Sequence, residues 1–188
     1  MTGSKMAALV AFMVACILLV YVVVGPQREA VGKAAVSTGT VKGEVYEDKG
    51  LGFAFEYPAD WVKADTPQLG AEATFFGPRR SDFTMSLEVR SEQNPTALAV
   101  YVNRSIKKVL PEYKTNFKLL EEETFKVNGV DAVRVVYSYR QGNFDLTNVQ
   151  VVYGLGDRKV ILTFCLLSDY FDVVRPVVER TIKSFRRL

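Results

Sequence analysis

Residues 52–61 read Gly-Phe-Ala-Phe-Glu-Tyr-Pro-Ala-Asp-Trp and are the most informative part of the chain about its fold. Its aromatic residues Phe53, Phe55 and Tyr57 alternate with Ala and Glu, so a strand places all three rings on one face. Pro58 ends the strand because it has no N–H to donate to a neighbouring strand. Trp61, the only Trp of the chain, follows the turn. We expect this strand and turn to begin a hydrophobic core that later elements cover.

The composition is that of a folded domain with an added apolar segment. Hydrophobic residues make up 48% of the chain and charged residues 24%, and the net charge is only +3. Domains that bind nucleic acids usually carry a clear basic excess, so we expect no nucleic acid partner. The chain has no histidine, which excludes Ser-His and Cys-His catalysis and histidine metal sites. We expect no catalytic residue, no metal and no cofactor.

Residues 6–24 contain no charged side chain and predict a membrane helix. Such a helix would be about 29 Å long, close to the ~30 Å thickness of the hydrocarbon core of a bilayer. The following residues, rich in Ala, Gly, Ser and Thr, predict a flexible tether. The expected organisation is a tail (1–5), a transmembrane signal-anchor helix (6–24), a flexible tether (25–44) and a globular domain (45–188).

Two other interpretations of the N-terminal run remain open. One is a cleaved signal peptide, although cleavable apolar regions are usually shorter than this one. The other is a lipoprotein signal, because Met13-Val14-Ala15 before Cys16 resembles a lipobox, which would make Cys16 a lipidation site. We favour the retained anchor, with one membrane crossing and the domain outside the cytoplasm. Cys16 and Cys165 lie in different segments, so we expect neither a disulfide between them nor a disulfide-linked partner.

The domain alternates strand and helix patterns. Short turns such as Asn128-Gly129, the strongest hairpin signal in the chain, join several of the strands. The predicted strands are 45–48, 53–57, 71–76, 82–90, 116–127, 130–139, 144–153 and 159–167. The last of these is apolar on both faces apart from Thr163, which predicts a central strand covered on both sides.

Two helices are predicted. The first begins at Asn94-Pro95, with Asn as N-cap and Pro at the first helical position, and ends at Pro111. Its apolar residues recur every three to four positions, and so do those of the second helix, 169–185. The expected fold class is α+β, with a central antiparallel sheet and helices on both faces.

The stretch at residues 52–61 resembles the opening motif of PsbP-like domains, and Ile182-Lys183-Ser184-Phe185 resembles the end of the last helix of that family. The similarity covers about residues 45–188. It implies an α/β/α sandwich, in agreement with the order of strands and helices worked out from the residues. It also implies a non-enzymatic, partner-binding protein of the bacterial or archaeal membrane-tethered type. Plant members of the family support the oxygen-evolving centre of photosystem II, a role that we do not carry over.

Three groups of residues are candidate sites. Arg79 and Arg80 lie next to each other in a predicted loop at residues 77–82 and could hold a carboxylate, a phosphate group or an anionic lipid headgroup, although a solvated turn is the more ordinary interpretation. Tyr57 and Trp61 could line a ligand pocket, although a single Trp after such a strand more often fills a corner of the core. The acidic run at residues 121–123 is typical of a charged edge strand that discourages aggregation.

The sequence therefore predicts a non-catalytic, membrane-anchored binding or accessory module outside the cytoplasm. Its expected partners are the membrane itself and a membrane protein complex. The alternative is a solute- or lipid-binding protein that holds a small ligand between the sheet and a helix.

Overall fold

The computed structural model describes residues 43–188. The predicted tail, the anchor at residues 6–24, the lipidation candidate Cys16 and most of the predicted tether lie outside these residues. Among the described helices, none is long and apolar enough to cross a membrane.

Ten strands and two helical regions follow one another in the described chain. The strands are β1 (Glu44–Asp48), β2 (Phe53–Tyr57), β3 (Val62–Lys63), β4 (Ala73–Arg80), β5 (Phe83–Gln93), β6 (Thr115–Val127), β7 (Val130–Gln141), β8 (Phe144–Leu155), β9 (Arg158–Leu167) and β10 (Arg186–Arg187). The first helical region consists of α1 (Leu98–Val102), a π-helical turn (Asn103–Lys108) and α2 (Leu110–Tyr113). The second consists of a 3₁₀ turn (Ser168–Tyr170) and α3 (Phe171–Ser184).

The strands form two sheets. The large sheet has seven antiparallel strands in the order β3-β4-β5-β9-β8-β7-β6, and the small sheet has three in the order β1-β2-β10. The prediction of an antiparallel central sheet is confirmed, but the separate small sheet was not expected. The pattern of residues 52–61 determines a strand and its buried face, whereas the choice of pairing partners depends on the rest of the chain.

Strand β2 places its aromatic rings in the core, as predicted. Phe53 and Phe55 are fully buried and Tyr57 is 8% exposed. The ring of Phe75 on β4 lies 6.0 Å from that of Phe55 and 4.4 Å from that of Tyr57. The ring of Phe185, just after α3, stacks on Phe53 at 5.5 Å. The small sheet therefore packs against the large sheet and α3 through an aromatic cluster.

The two helical regions lie on opposite faces of the large sheet. Consecutive residues of a strand point to opposite faces, and Tyr153 and Gly154 of β8 contact different helices. The Tyr153 ring stacks on Phe185 at 3.7 Å, and its hydroxyl donates to the Ile182 carbonyl of α3 at 3.1 Å. A Cβ atom on Gly154 would lie 3.4 Å from Leu98 of α1. The large sheet therefore has a helical region on each face, as predicted. Most of the described chain is β-sheet.

The first helical region differs from its prediction at both ends. The Asn94 side chain accepts a hydrogen bond from the Thr96 amide at 3.0 Å, which closes a turn before the helix, and the N-cap is Ala97. Pro111 does not end the helix, because it occupies the first turn of α2, where its missing N–H has no intrahelical partner to lose. A π turn contains more residues than an α turn, so residues four positions apart stay on the same side of the helix. The buried stripe is Val102, Ile106 and Leu110, with Leu98 partly buried.

Two strand predictions also need correction. Strand β4 does not stop at Phe76 but continues through Gly77-Pro78 to Arg80, with a bulge between Phe76 and Arg79 that accommodates the proline. Strand β9 is central but is fully covered on one face only. Thr163 and Cys165 remain partly exposed on the other face, because α1 packs on β7 and β8.

Candidate functional site

Arg79 and Arg80 lie at the tip of the β4–β5 hairpin. Ser81 and Asp82 form its turn with left-handed backbone angles, φ 48° and 63°, so the structure places the two arginines at the end of a strand and not in a longer loop. The guanidinium of Arg79 pairs with the Asp82 carboxylate at 3.0 Å, and the side chains are 64% and 90% exposed. Such an exposed pair contributes little to stability and leaves Arg79 able to exchange partners.

Arg80 is held by an aromatic ring. Its guanidinium carbon lies 4.0 Å from the centre of the Tyr170 ring, which is within the range of a cation–π interaction. Tyr170 belongs to the 3₁₀ turn that leads into α3. The hairpin tip therefore contacts the start of the C-terminal helix, and the planar group of Arg80 is oriented before any ligand arrives.

A cleft of about 300 Å³ opens between the hairpin tip and this turn. Its lining residues are Arg79, Arg80, Ser81, Leu167 and Asp169. A second cleft of about 460 Å³ is lined in part by Ser168, the first residue of the same turn. We call the two together the hairpin-end clefts. The volumes fall within the range of small-ligand sites, and both clefts are open to solvent.

The second cleft is shaped by an irregularity in the edge strand β6. The register of β6 with β7 shifts between Thr115 and Lys118, and Asn116 in this bulge has φ 55°. Opposite the bulge, Arg140 donates to both Asp145 carboxylate oxygens, at 2.9 and 3.0 Å. The remaining lining residues are Phe117, Lys118, Ser138, Tyr139 and Ser168. This cleft was not predicted, because its residues come from four elements and only the asparagine is typical of a bulge.

Tyr57 and Trp61 lie in the core beside β4 and do not line the hairpin-end clefts. Trp61 is 5% exposed, and its ring lies 6.1 Å from that of Phe164. The Tyr57 hydroxyl donates to Glu44 at 2.6 Å. Burial and this bond to a carboxylate raise the pKa of Tyr57 to about 12. The structure thus places these two residues outside the cleft that Arg79 and Arg80 line, in the position that a core role requires.

The acidic run at residues 121–123 lies on β6, an edge strand of the large sheet, as expected. Glu121 and Glu123 pair with Arg134 of β7 at 3.4 and 2.9 Å, and Glu121 also pairs with Arg175 of α3 at 3.0 Å. On the other face Glu122 pairs with Lys107 at 2.8 Å. These ion pairs connect the edge strand to both helical regions.

The architecture is that of an α+β protein, and its similarity to solved structures shows a PsbP-like fold. Its structure is similar to that of the cyanobacterial PsbP protein, CyanoP, from Synechocystis sp. PCC 6803, with a TM-score of 0.62 and 18% identity over 87% of this chain and 100% of that chain. It is also similar to LpqN of Mycobacterium tuberculosis, described as involved in cell envelope biogenesis, with a TM-score of 0.54 and 12% identity over 76% of this chain and 83% of that one.

A third similar structure is PA94 of Pseudomonas aeruginosa, a protein of unknown function, with a TM-score of 0.54 and 17% identity over 77% of this chain and 96% of that one. No sequence-family model matches the chain, and no curated protein matches it. At these identities the similarity establishes the fold.

Proposed function

We propose that the protein is a non-catalytic accessory module, anchored in the cell membrane by residues 6–24, that docks its extracytoplasmic domain on a membrane protein complex. The observation that carries the proposal is the pair of neighbouring arginines at the hairpin tip, one of them oriented by Tyr170 and both facing an open cleft. The PsbP-like fold supports it, since CyanoP and the envelope-biogenesis protein LpqN share this architecture.

The chemistry of the hairpin end favours an acidic partner surface. A planar guanidinium recognises a carboxylate through two parallel hydrogen bonds. Arg80 lies over the Tyr170 ring, and a guanidinium whose face contacts a ring can still donate from its edge. Exposed charges of this kind mainly increase the rate of association and select the partner. The bonds to the partner would replace the exposed Arg79–Asp82 pair at little cost.

The test is affinity purification of the tagged full-length protein from gently solubilised membranes. We expect one membrane complex to co-purify with the parent protein and to be lost with the double variant Arg79→Glu, Arg80→Glu. The matched control is Lys49→Glu, Lys183→Glu, which changes the net charge equally at exposed positions away from the clefts. This control should retain the complex.

A variant that lacks residues 1–26 tests the anchor in the same experiment. It should leave the membrane fraction, whereas the parent protein should resist extraction at alkaline pH. The proposal fails if the parent protein purifies alone, or if both charge-reversed variants keep the complex equally well. A parent protein that purifies alone with a bound small molecule would favour the solute-binding alternative.

A further inference from the structure

Both hairpin-end clefts carry an arginine on the same face of the large sheet. Residues opposite one another on neighbouring strands share a face, and so do residues two positions apart on one strand. Applied from strand to strand, the two rules connect Arg80 at the first cleft with Arg140 at the second. The connecting series is Arg80, Phe83, Leu87, Phe164, Val149, Asp145 and Arg140. The turn at Ser168–Tyr170 contributes residues to both clefts and separates them.

Three charged side chains of the clefts are left to bind a partner. Within residues 43–188, no ion pair involves Arg80, Asp169 or Lys118. Arg80 contacts the ring of Tyr170, and Asp169 and Lys118 are exposed. From the hairpin tip to strand β6, the charges are therefore positive, negative and positive.

Arg140 adds to the positive charge beside Lys118. Both residues line the second cleft. Arg140 donates to Asp145 from Nε and Nη2, and Nη1 takes no part in this contact. An acidic group that pairs with Lys118 can therefore also accept a hydrogen bond from Arg140.

The order of the strands sets the distance between these charges. Arg80 on β4 and Arg140 on β7 lie at the two ends of the series β4-β5-β9-β8-β7. Neighbouring strands are about 4.8 Å apart, so four spacings place the two backbones about 19 Å apart. Asp169 comes just after β9, the middle strand of the series, and so lies about halfway between them.

We propose that the hairpin-end clefts bind an extended segment of the partner protein that carries an acidic, a basic and an acidic residue, each three positions after the last. The first acidic residue pairs with Arg80, the basic residue with Asp169, and the second acidic residue with Lys118 and Arg140. An extended chain advances about 3.3 Å per residue, so about six residues cover the distance. The inference rests on the proposed docking function, because it uses the same clefts.

Asp169 separates this partner from a purely anionic one. An anionic lipid surface or a segment with acidic residues alone would place negative charge against Asp169, and like charges side by side oppose binding. A phosphate group or a single carboxylate is too small to reach both ends of the series. A segment of alternating charge satisfies all three positions.

The test measures the binding of fluorescently labelled heptapeptides to the detergent-solubilised full-length protein by fluorescence anisotropy at low ionic strength. The probe is Glu-Ser-Ser-Lys-Ser-Ser-Glu. The control peptide, Ser-Ser-Glu-Lys-Glu-Ser-Ser, has the same composition and order of charges but a spacing too short to reach both cations. We expect the parent protein to bind the probe about fivefold more tightly, the effect of the exposed ion pairs that the control peptide cannot form.

Exposed charges make suitable variants because their replacement leaves the core intact. Lys118→Gln should remove most of the preference for the probe. The matched control is Lys49→Gln, which removes an exposed positive charge outside the clefts and should keep the preference. Asp169→Lys should reverse the choice at the middle position, so that Glu-Ser-Ser-Glu-Ser-Ser-Glu binds about fivefold more tightly than the probe.

The proposal is overturned if the parent protein binds the probe and the control peptide equally, if Lys49→Gln removes the preference as Lys118→Gln does, or if Asp169→Lys still prefers the probe. These outcomes are separate from those of the docking experiment. Loss of the co-purified complex in the Arg79→Glu, Arg80→Glu variant would still support docking. A preference for the probe without a co-purified complex would support the segment and reject the membrane complex as its source.

Discussion

At the scale of single residues, Gly77 explains how a strand can pass over the only Trp. The Trp61 indole lies directly against the backbone of β4, and a Cβ atom on Gly77 would be 2.6 Å from its Cε2 atom. The ring is large and packed against Phe164, so it cannot move aside as the end of a flexible side chain would. Gly77 follows the predicted end of this strand at residue 76, but the structure needs it as a glycine within strand β4.

We expect Gly77→Ala to lower the free energy of unfolding by about 1–3 kcal/mol, the usual cost of overpacking a core. Urea unfolding of the detergent-solubilised protein, followed by Trp61 fluorescence, measures the change. Gly50→Ala is the matched control, because its Cβ atom would meet only Asp48 Oδ1 at 3.4 Å. Equal stability of the two variants would contradict the close contact between Gly77 and Trp61.

Asn128 has two roles in one side chain. It adopts φ 47° in the β6–β7 turn, a conformation that Asn tolerates well. Its Nδ2 also donates to the carbonyl of Phe185 at 2.8 Å and to that of Lys183 at 3.2 Å. A hairpin turn therefore caps the end of α3, where carbonyl groups lack intrahelical partners.

We expect Asn128→Asp to destabilise the protein by about 1–3 kcal/mol, because the carboxylate cannot donate and its charge lies at the negative end of the helix dipole. Asn128→Gly keeps the turn and loses only the donor, so its loss of stability should be smaller. Urea unfolding at neutral pH gives this order. If the Asp variant were as stable as the parent protein, the cap would not contribute.

At the level of secondary-structure elements, the first helical region packs on the sheet through its apolar stripe. This stripe continues through the π-helical turn that separates α1 from α2. Ile106 lies within the π turn and is 1% exposed. Its burial means that the π turn is part of the packing surface. The turn keeps Val102, Ile106 and Leu110 in line over the sheet, where a continuous α-helix would rotate the last of them away.

We expect Ile106→Ala to lower the free energy of unfolding by about 2–5 kcal/mol, the range for a large apolar residue in a packed core. The control is Val100→Ala in the same region, because Val100 is 42% exposed and should change stability by less than about 1 kcal/mol. Chemical denaturation of both variants measures the difference. Similar losses would indicate that the region is held by its ends and not by this stripe.

The contrast between long and short elements explains which parts of the fold the sequence predicts. Strand β5 and helix α3 follow from periodicity because they are long enough to show several repeats. Strands β3 and β10 have two residues each and contain no repeat, so they were missed. Arg79 and Arg80 were found because they are neighbours in sequence. The second of the hairpin-end clefts was not, since its lining residues come from four elements and only the fold brings them together.

At the scale of the whole molecule, buried tyrosines make stability depend on pH in the alkaline range. Burial, followed by the Asp48 carboxylate, raises the pKa of Tyr46 to about 12. Burial also raises the pKa of Tyr57 to about 12 and that of Tyr153 well above its ordinary value. Because unfolded tyrosine has a pKa of about 10, the folded protein binds more protons than the unfolded chain above that pH.

We therefore expect stability to be insensitive to these tyrosines below about pH 10 and to fall as the pH rises from about 10 to 12. Urea unfolding at several pH values across this range measures the slope. Tyr153→Phe should reduce the slope, and at neutral pH it should cost about 1 kcal/mol because Ile182 loses the bond from the hydroxyl. An unchanged slope in this variant would show that Tyr153 ionises equally in both states.

The small sheet joins distant parts of the chain. Its middle strand β2 pairs with β1, which precedes it, and with β10 at Arg186–Arg187, and the Leu188 amide then donates to the Gly52 carbonyl at 3.1 Å. During synthesis on a ribosome, β2 is made early and has no partner on its second side until residue 187 emerges. For most of translation the aromatic face of β2 also lacks Phe185. The small sheet therefore stays incomplete until residues 185–187 have left the ribosome, and the unpaired β2 most needs a chaperone before that point.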